Sequence, residues 1–182
     1  MRKPLLLALL FVCFPVAGHA QIAEAYATLA IDHLSSVTTP YATNESTSYT
    51  PVGATIGGTI NFLPFRLVTV GIDARATLNN GANMWLAGLR IQAKPPHLRL
   101  KPYFQISVGE AFLHVPQTYN STLPNPLPVD YYFYNAALGL DYRLNHHLDF
   151  RVIEIGDGRT LGGGASNPTS FLTINSGIVV HF

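Results

Sequence analysis

The chain has 182 residues, of which 48 % are apolar, 11 % are aromatic and 12 % are charged, and it contains one cysteine. This length is typical of one domain, and the formal net charge of +1 excludes the strongly basic face of a nucleic-acid-binding protein. The charged fraction is low for a soluble surface, which usually has about a quarter or more charged residues.

The first twenty residues, MRKPLLLALLFVCFPVAGHA, have the pattern of a cleaved export signal. Arg2 and Lys3 precede an apolar run that is shorter than the ~20 apolar residues of a membrane-spanning helix, and small residues follow it. We predict a signal peptide over 1–20 and one mature domain over 21–182. The mature net charge is −1, because Lys and Arg fall from 11 to 9 against 10 Asp and Glu. Cys13 lies in the signal, so the mature domain has no disulfide.

Eight stretches of the mature chain have apolar residues at every second position, which predicts β-strands with one apolar face. The predicted strands are 23–34, 52–63, 67–78, 83–94, 102–114, 131–143, 147–156 and 171–182. Short connections follow the even-numbered strands, and the longer connections 35–51 and 115–130 follow odd-numbered ones. This asymmetry is typical of a meander across a bilayer with short turns in the periplasm.

We therefore predict an all-β fold, an eight-stranded antiparallel up-and-down transmembrane β-barrel with periplasmic N- and C-termini. A sheet in hydrocarbon cannot leave an open edge, so the last strand is expected to pair with the first. A soluble eight-stranded barrel of the lipocalin kind has the same number of strands, but its apolar face points inward.

The third predicted strand shows the two faces clearly, with Val68, Val70 and Ile72 on one face and Thr69 and Asp73 on the other. Tyr, Phe, Leu and Trp belong almost wholly to the apolar face, whereas glycines and short side chains occupy the polar face. An eight-stranded barrel has a narrow interior. We therefore predict that the apolar face meets lipid and the polar face lines the lumen.

Charges of both signs fall on the polar face, and a lone ion in a dry interior would cost several kcal/mol. We predict a polar network in the lumen formed by Asp73, Arg75, Arg90, Asp141, Arg143, Asp149, Arg151 and Glu154. Strict alternation would turn Glu110 toward lipid, and it cannot place both Arg151 and Glu154 inside. A bulge in each of these two strands would restore the pattern.

Aromatic residues near the strand ends predict two girdles around the barrel. The girdle at the loop end would contain Trp85, Phe112, Tyr131, Tyr132, Tyr134 and Phe171. The girdle at the opposite end would contain Phe62, Phe65, Tyr103, Tyr142 and Phe182.

The last strand, FLTINSGIVVHF, is similar to the closing strand of the small outer membrane β-barrels related to OmpA and OmpX. Phe182 matches the terminal aromatic residue of that strand, and Val180, Ile178 and Ile174 match its alternating apolar residues. The stretches RVIEIGDGRTLGGG and LKPYFQISVGEAFLH resemble the penultimate and fifth strands of the same family. The resemblance implies a location in the cell outer membrane and a barrel-assembly signal at these four residues, which the assembly machinery reads during biogenesis.

The sequence shows no set of residues that would form a catalytic centre, and we expect neither catalysis nor a cofactor or metal. Asp32, His33 and Ser35 are the residue types of a triad, but adjacent strand residues point to opposite faces, so Asp32 cannot orient His33. The motifs of lipid A deacylases and palmitoyl transferases, which are barrel enzymes of this size, are not found in the sequence.

The favoured function is a structural or surface-interaction role through the extracellular loops, because the sequence offers no catalytic set and predicts a filled lumen. The resemblance does not decide the activity, since members of the family serve many functions on one frame. A narrow ion or small-solute channel is the alternative, and a lipid A-modifying outer membrane enzyme is less favoured. The expected partners are outer membrane lipid and an unidentified extracellular ligand, with no nucleic acid, and the protein is expected to be a monomer.

Overall fold

The computed structural model describes residues 23–37, 47–65, 67–80, 82–115, 127–161 and 170–182. The predicted signal peptide, residues 1–20, lies outside the described residues, as do the central parts of both long predicted connections. In the described part of the chain, no helix is long and apolar enough to cross a membrane.

Alternating apolar and polar residues form long antiparallel strands, because neighbouring side chains of a strand point to opposite faces. The strands are β1 (Ala23–Val37), β2 (Thr47–Tyr49), β3 (Val52–Pro64), β4 (Val68–Asn79), β5 (Ala82–Ala93), β6 (Leu100–Val115), β7 (Leu127–Arg143), β8 (Leu148–Thr160) and β9 (Ser170–His181). All eight predicted strands are present, most of them one to four residues longer at one or both ends. The short strand β2, which was not predicted, pairs with the end of β1 through Leu34 and Val37.

The eight long strands close into a barrel, as predicted. Each pairs antiparallel with its neighbours in chain order, and β1 pairs with both β3 and β9. The closing ladder extends from Glu24 opposite His181 to Ser35 opposite Ser170, and the Phe182 amide donates to the Ala23 carbonyl oxygen at 3.0 Å. Closure leaves neither of these strands with a free edge along this ladder, which stabilises a domain that has no disulfide.

The two ends of the barrel differ in their connections. We call the end with the connections 65–67, 94–99 and 144–147 the turn side, and the opposite end the loop side. Both ends of the described chain, Ala23 and Phe182, lie on the turn side.

The large apolar side chains lie mainly on the outer face, and most charged side chains of the strands lie inside. Leu29 is 73 % exposed and Leu138 is 66 % exposed, whereas Asp73 and Asp141 are completely buried. The burial pattern of β4 alternates residue by residue, with Thr69, Asp73 and Arg75 inside as predicted. The apolar surface therefore forms a belt around the barrel, and most of the strands' charges lie in its lumen.

Of the two expected bulges, the structure contains one. The β8–β9 pairing shifts register between Arg151 and Glu154, and the two residues between them, Val152 and Ile153, both face outward. The β5–β6 and β6–β7 ladders continue without a shift past Glu110, so the bulge expected there is wrong. Glu110 is half-buried near the loop-side end of β6, where an outward carboxylate can reach water without a change of register.

Candidate functional site: the filled lumen

The barrel lumen contains two layers of different chemistry. The turn-side half contains an ionic network, which we define as Glu24, Asp73, Arg75, Arg90, Lys101, Asp141, Asp149, Arg151, Glu154 and His181. The loop-side half contains an apolar layer, which we define as Leu34, Ala82, Met84, Leu86, Ala111, Phe133 and Phe171. Every member of both layers is buried.

Asp73 is the most heavily hydrogen-bonded carboxylate near the middle of the lumen. Its oxygens accept hydrogen bonds from Tyr26 Oη at 2.8 Å and from Thr59 Oγ1 at 3.0 Å. Gln105 Nε2 at 2.7 Å and Arg75 Nε at 3.2 Å are two further donors. These donors lie on β1, β3, β4 and β6, so one carboxylate connects four strands.

Glu154 connects both arginines of the central lumen. It pairs with Arg75 Nη1, and it also pairs with Arg151 Nη1 at 3.4 Å. Tyr103 Oη donates to Glu154 at 2.5 Å, and Asn175 Nδ2 donates to it at 3.0 Å. The bulge in β8 is what turns Glu154 inward beside Arg151, so this local irregularity is part of the network's geometry.

Asp141 lies between two more guanidinium groups. Arg90 Nη2 donates to one of its oxygens at 2.5 Å, and Arg151 Nε donates to the other at 3.0 Å. Gln92 Nε2 adds a third hydrogen bond at 3.2 Å. Arg151 therefore contacts both Asp141 and Glu154, and it connects the centre of the lumen with the turn-side half.

Glu24, Lys101, Asp149 and His181 complete the network on the turn side. Lys101 Nζ lies 2.5 Å from Asp149, and the His181 ring nitrogens lie 2.8 Å from Asp149 and 3.5 Å from Glu24. An imidazole with a carboxylate at each nitrogen can donate to both only when it is protonated. With His181 protonated, the network contains five carboxylates and five cations, so the charges within the network balance.

The rings of Tyr26 and Tyr103 fill the space between the ion pairs, and each tyrosine lies opposite a glycine of the neighbouring strand. Arg90 lies over the Tyr103 ring at 3.8 Å, and Arg151 lies over the Tyr26 ring at 4.4 Å, which are cation–π distances. A Cβ atom added at Gly139 would lie 2.5 Å from Tyr103 Cε1. The absence of a side chain there allows the tyrosine ring to cross the narrow interior.

The apolar layer has no charged member. Phe133 and Phe171 stack with ring centroids 4.9 Å apart, and both are completely buried. Leu34 from β1 and Met84 from β5 pack in the same cluster, and Tyr131 packs against it. This layer contradicts the prediction that nearly all large apolar residues face outward. The alternation in these strands is intact, and it is the inward positions that become apolar toward the loop side.

The structure brings together seven of the eight residues predicted for the polar network. Asp73, Arg75, Arg90, Asp141, Asp149, Arg151 and Glu154 are buried and ion-paired. Arg143 is half-buried at the turn-side mouth and forms no ion pair with a described residue, so the structure does not bring it together with the other seven. The acid opposite it in the β7–β8 ladder, Asp149, is instead paired with Lys101 and His181.

Three charged members of the network were not predicted. Glu24 and His181 lie at the turn-side ends of the first and last strands, on the same face as other inward residues, so extending the alternation to the strand ends would have found them. Lys101 lies just outside the fifth predicted strand, which begins at residue 102, whereas β6 begins at Leu100.

The predicted aromatic girdles are partly wrong. Trp85, Tyr132 and Phe182 are exposed on the outer face. Tyr103 and Phe171 are buried in the lumen, and Tyr131 packs against the apolar layer. Inward strand positions and outward ones alternate at every level of the barrel, so position near a strand end does not distinguish a girdle residue from a lumen residue.

The residues predicted to form the barrel-assembly signal lie on the outer face of β9 and just beyond it. Phe182 is 71 % exposed, and Ile174 and Ile178 are exposed as well, while Val180 is half-buried. Their role in assembly stays a prediction.

His33 lies outside the barrel, while Asp32 is buried inside and accepts a hydrogen bond from Asn79. The two side chains therefore point to opposite faces, as predicted. His33 Nδ1 lies 2.9 Å from Thr50 Oγ1. Among the described residues, no group of three or more His, Cys, Asp or Glu side chains is arranged to bind a metal ion.

Comparison with known proteins identifies the fold. No protein-family model and no curated protein sequence matches the chain. Among solved structures, Neisserial surface protein A superimposes with a TM-score of 0.51 at 12 % identity, covering 91 % of this chain and 100 % of that one. The outer membrane protein OprG from Pseudomonas aeruginosa superimposes with a TM-score of 0.51 at 14 % identity, covering 88 % of this chain and 95 % of that one. The predicted resemblance to small eight-stranded outer membrane β-barrels is confirmed at the level of the fold.

Proposed function

We propose that the chain is a protein of the cell outer membrane with a structural or surface-interaction role through its loop-side connections. The observation that supports this most strongly is the belt of large apolar side chains around a closed barrel that has an ionic network inside. Leu29, Ile72 and Leu138 are each more than half exposed on that belt. Water would have to cover this surface in a soluble protein, whereas hydrocarbon covers it favourably.

Closure of the backbone supports the same proposal. A β-sheet can cross hydrocarbon only when all its strands pair, because an unpaired backbone group there costs several kcal/mol. The orientation in the proposal has the turn side in the periplasm and the loop side outside, which is the usual arrangement of short and long connections in bacterial barrels.

The proposed barrel does not conduct ions. Arginine–carboxylate pairs fill the turn-side half of the lumen, and stacked phenylalanine rings fill the loop-side half. An ion would have to displace both layers to pass. This filling favours the structural or surface role over the channel alternative.

Planar-bilayer recording of the purified, folded protein tests this part of the proposal. We expect no steady single-channel steps from the wild-type barrel. Steady steps that disappear when Asp73 and Arg75 are neutralised would support the channel instead.

Folding in detergent tests the membrane barrel itself. We expect the mature protein to migrate differently in gel electrophoresis before and after heating, as closed membrane barrels do. Replacing 116–126, which lies outside the described residues, by a short turn should leave this shift intact, because β6 and β7 pair along their whole described length below it. Loss of the shift in this variant would show that the segment is not a loop.

The proposal contains no catalytic step and no cofactor. Mass spectra of lipid A from cells with and without the protein should therefore be identical, and a new acylation or deacylation product would support the enzyme alternative.

The proposed partners are outer membrane lipid, the barrel-assembly machinery during biogenesis and an unidentified extracellular ligand, and the proposed state is a monomer. Removing Phe182 should lower the assembled fraction in cells if the final strand is read during assembly.

A further inference from the structure

The turn-side mouth of the barrel has a surplus of positive charge. The described acidic side chains of this half, Glu24, Asp141 and Asp149, are all buried. Each is already paired, because Arg90 and His181 contact Glu24, Arg90 and Arg151 contact Asp141, and Lys101 and His181 contact Asp149. All three acidic side chains are therefore paired within the network.

Three cations at the same mouth form no ion pair with any described residue. They are Lys94, which directly follows β5, Arg99, which directly precedes β6, and Arg143, the last residue of β7. Lys94 and Arg143 are half-buried, and Arg99 is exposed. Among the described residues, the one other cation without an ion pair is Arg159, which faces outward near the loop side.

The three cations are neighbours. The Arg143 amide donates to the Arg99 carbonyl oxygen at 2.8 Å, which continues the β6–β7 ladder and puts the two arginines opposite each other. Burial and the nearby cations Lys101, Arg90 and Arg143 lower the pKa of the Lys94 ammonium group, against the opposing effect of Glu24. Like charges directly opposite each other on a ladder destabilise it unless an anion lies between them.

We propose that the turn-side mouth is a binding site for a phosphate group, held by Lys94, Arg99 and Arg143. Two guanidinium groups and one ammonium group match a multiply charged oxyanion, because a guanidinium group donates two parallel hydrogen bonds to phosphate oxygens. A phosphate there would neutralise the repulsion between the opposed arginines. The site does not depend on which side of the membrane the mouth faces, and it adds a ligand that the proposed surface role does not include.

Titration with pyrophosphate tests this site. The folded barrel in an uncharged maltoside detergent is titrated calorimetrically, with sodium chloride holding the ionic strength constant. We expect saturable binding that weakens about tenfold or more in Lys94→Gln and in Arg143→Gln, since each variant loses charged hydrogen bonds. The matched control is Arg159→Gln, which removes the same charge at the other end of the barrel and should change binding less than about twofold.

Absence of saturable binding to the wild type would overturn the proposal, and so would an equal loss in Arg159→Gln, because that would reflect net charge alone. Each variant is first checked for the heat-dependent gel shift, so that a loss of binding is not mistaken for a loss of folding.

The same titration in nanodiscs distinguishes the source of the phosphate. If a lipid headgroup is the ligand, nanodiscs containing phosphatidylglycerol compete with pyrophosphate and those containing an uncharged lipid do not. If a soluble phosphorylated molecule is the ligand, pyrophosphate binds equally well in both.

Discussion

The two layers of the lumen fill the same narrow barrel by opposite means. In the ionic network, each carboxylate has several donors, and the donors come from different strands, as around Asp73 and Glu154. In the apolar layer, Phe133, Phe171 and Leu34 fill the space by contact alone. Hydrogen-bonded ion pairs require a specific geometry, whereas apolar packing tolerates small changes of shape. The network therefore connects the strands through specific cross-strand contacts, and the apolar layer packs the loop-side half.

The largest expected effect of a substitution is in the ionic network. Arg151→Met removes the guanidinium group shared by Asp141 and Glu154 and leaves both buried carboxylates with less compensation. We expect the free energy of unfolding to fall by about 3–5 kcal/mol, which is typical of breaking a buried ion pair. Urea unfolding in lipid vesicles, followed by tryptophan fluorescence, measures the change. The control Arg159→Met removes an outward arginine and should cost less than about 0.5 kcal/mol, and an equal cost at both positions would contradict the comparison.

A somewhat smaller effect is expected in the apolar layer. Phe133→Ala removes a stacked ring whose partner is Phe171, and it should lower the free energy of unfolding by about 3 kcal/mol. The variant should still not conduct ions, because the ionic network remains below the new cavity. Steady conductance in Phe133→Ala would mean that the apolar layer alone closes the lumen.

Gly139→Ala tests how closely a tyrosine fills the network. The new Cβ would overlap the Tyr103 ring, and we expect a loss of about 1–3 kcal/mol from overpacking. In the background of Tyr103→Ala, the same substitution should cost much less, because the overlapping ring is gone. Equal costs in the two backgrounds, measured as a double-mutant cycle, would show that the clash with Tyr103 is not the cause.

The smallest expected effect is on the outer face. Glu110 is flanked across the ladders by Trp85 and Tyr132, and it faces outward near the loop side. Glu110→Gln removes a charge from this face, and we expect stability to stay unchanged or to rise by at most about 1 kcal/mol. A loss of about 2 kcal/mol or more, the size of a lost charged hydrogen bond, would place the carboxylate inside the lumen and restore the bulge that the structure lacks.

The eight long strands, the closed barrel and the facing of most residues could be predicted from the sequence, because alternation with period two is a local signal. The bulge in β8 could be predicted as well, since Arg151 and Glu154 are three residues apart and a lone buried charge is costly. The ion-pair partners in the lumen could not be predicted, because they depend on the register between strands that are distant in sequence. The apolar layer was missed for another reason, since a rule that sorts residues by polarity cannot recognise Phe133 or Phe171 as inward-facing.

The central claim is that the belt faces lipid and that the lumen is filled. Spin labels on the outer belt and in the lumen test this claim most directly. Labels replace Leu138 on the belt and Ala137, which is buried next to it, in the barrel folded in lipid vesicles. We expect the label at 138 to be accessible to oxygen dissolved in the bilayer and inaccessible to a water-soluble nickel complex, and the label at 137 to be immobile and inaccessible to both. A label at 138 that is shielded from oxygen, or that the nickel complex reaches freely, would contradict the account.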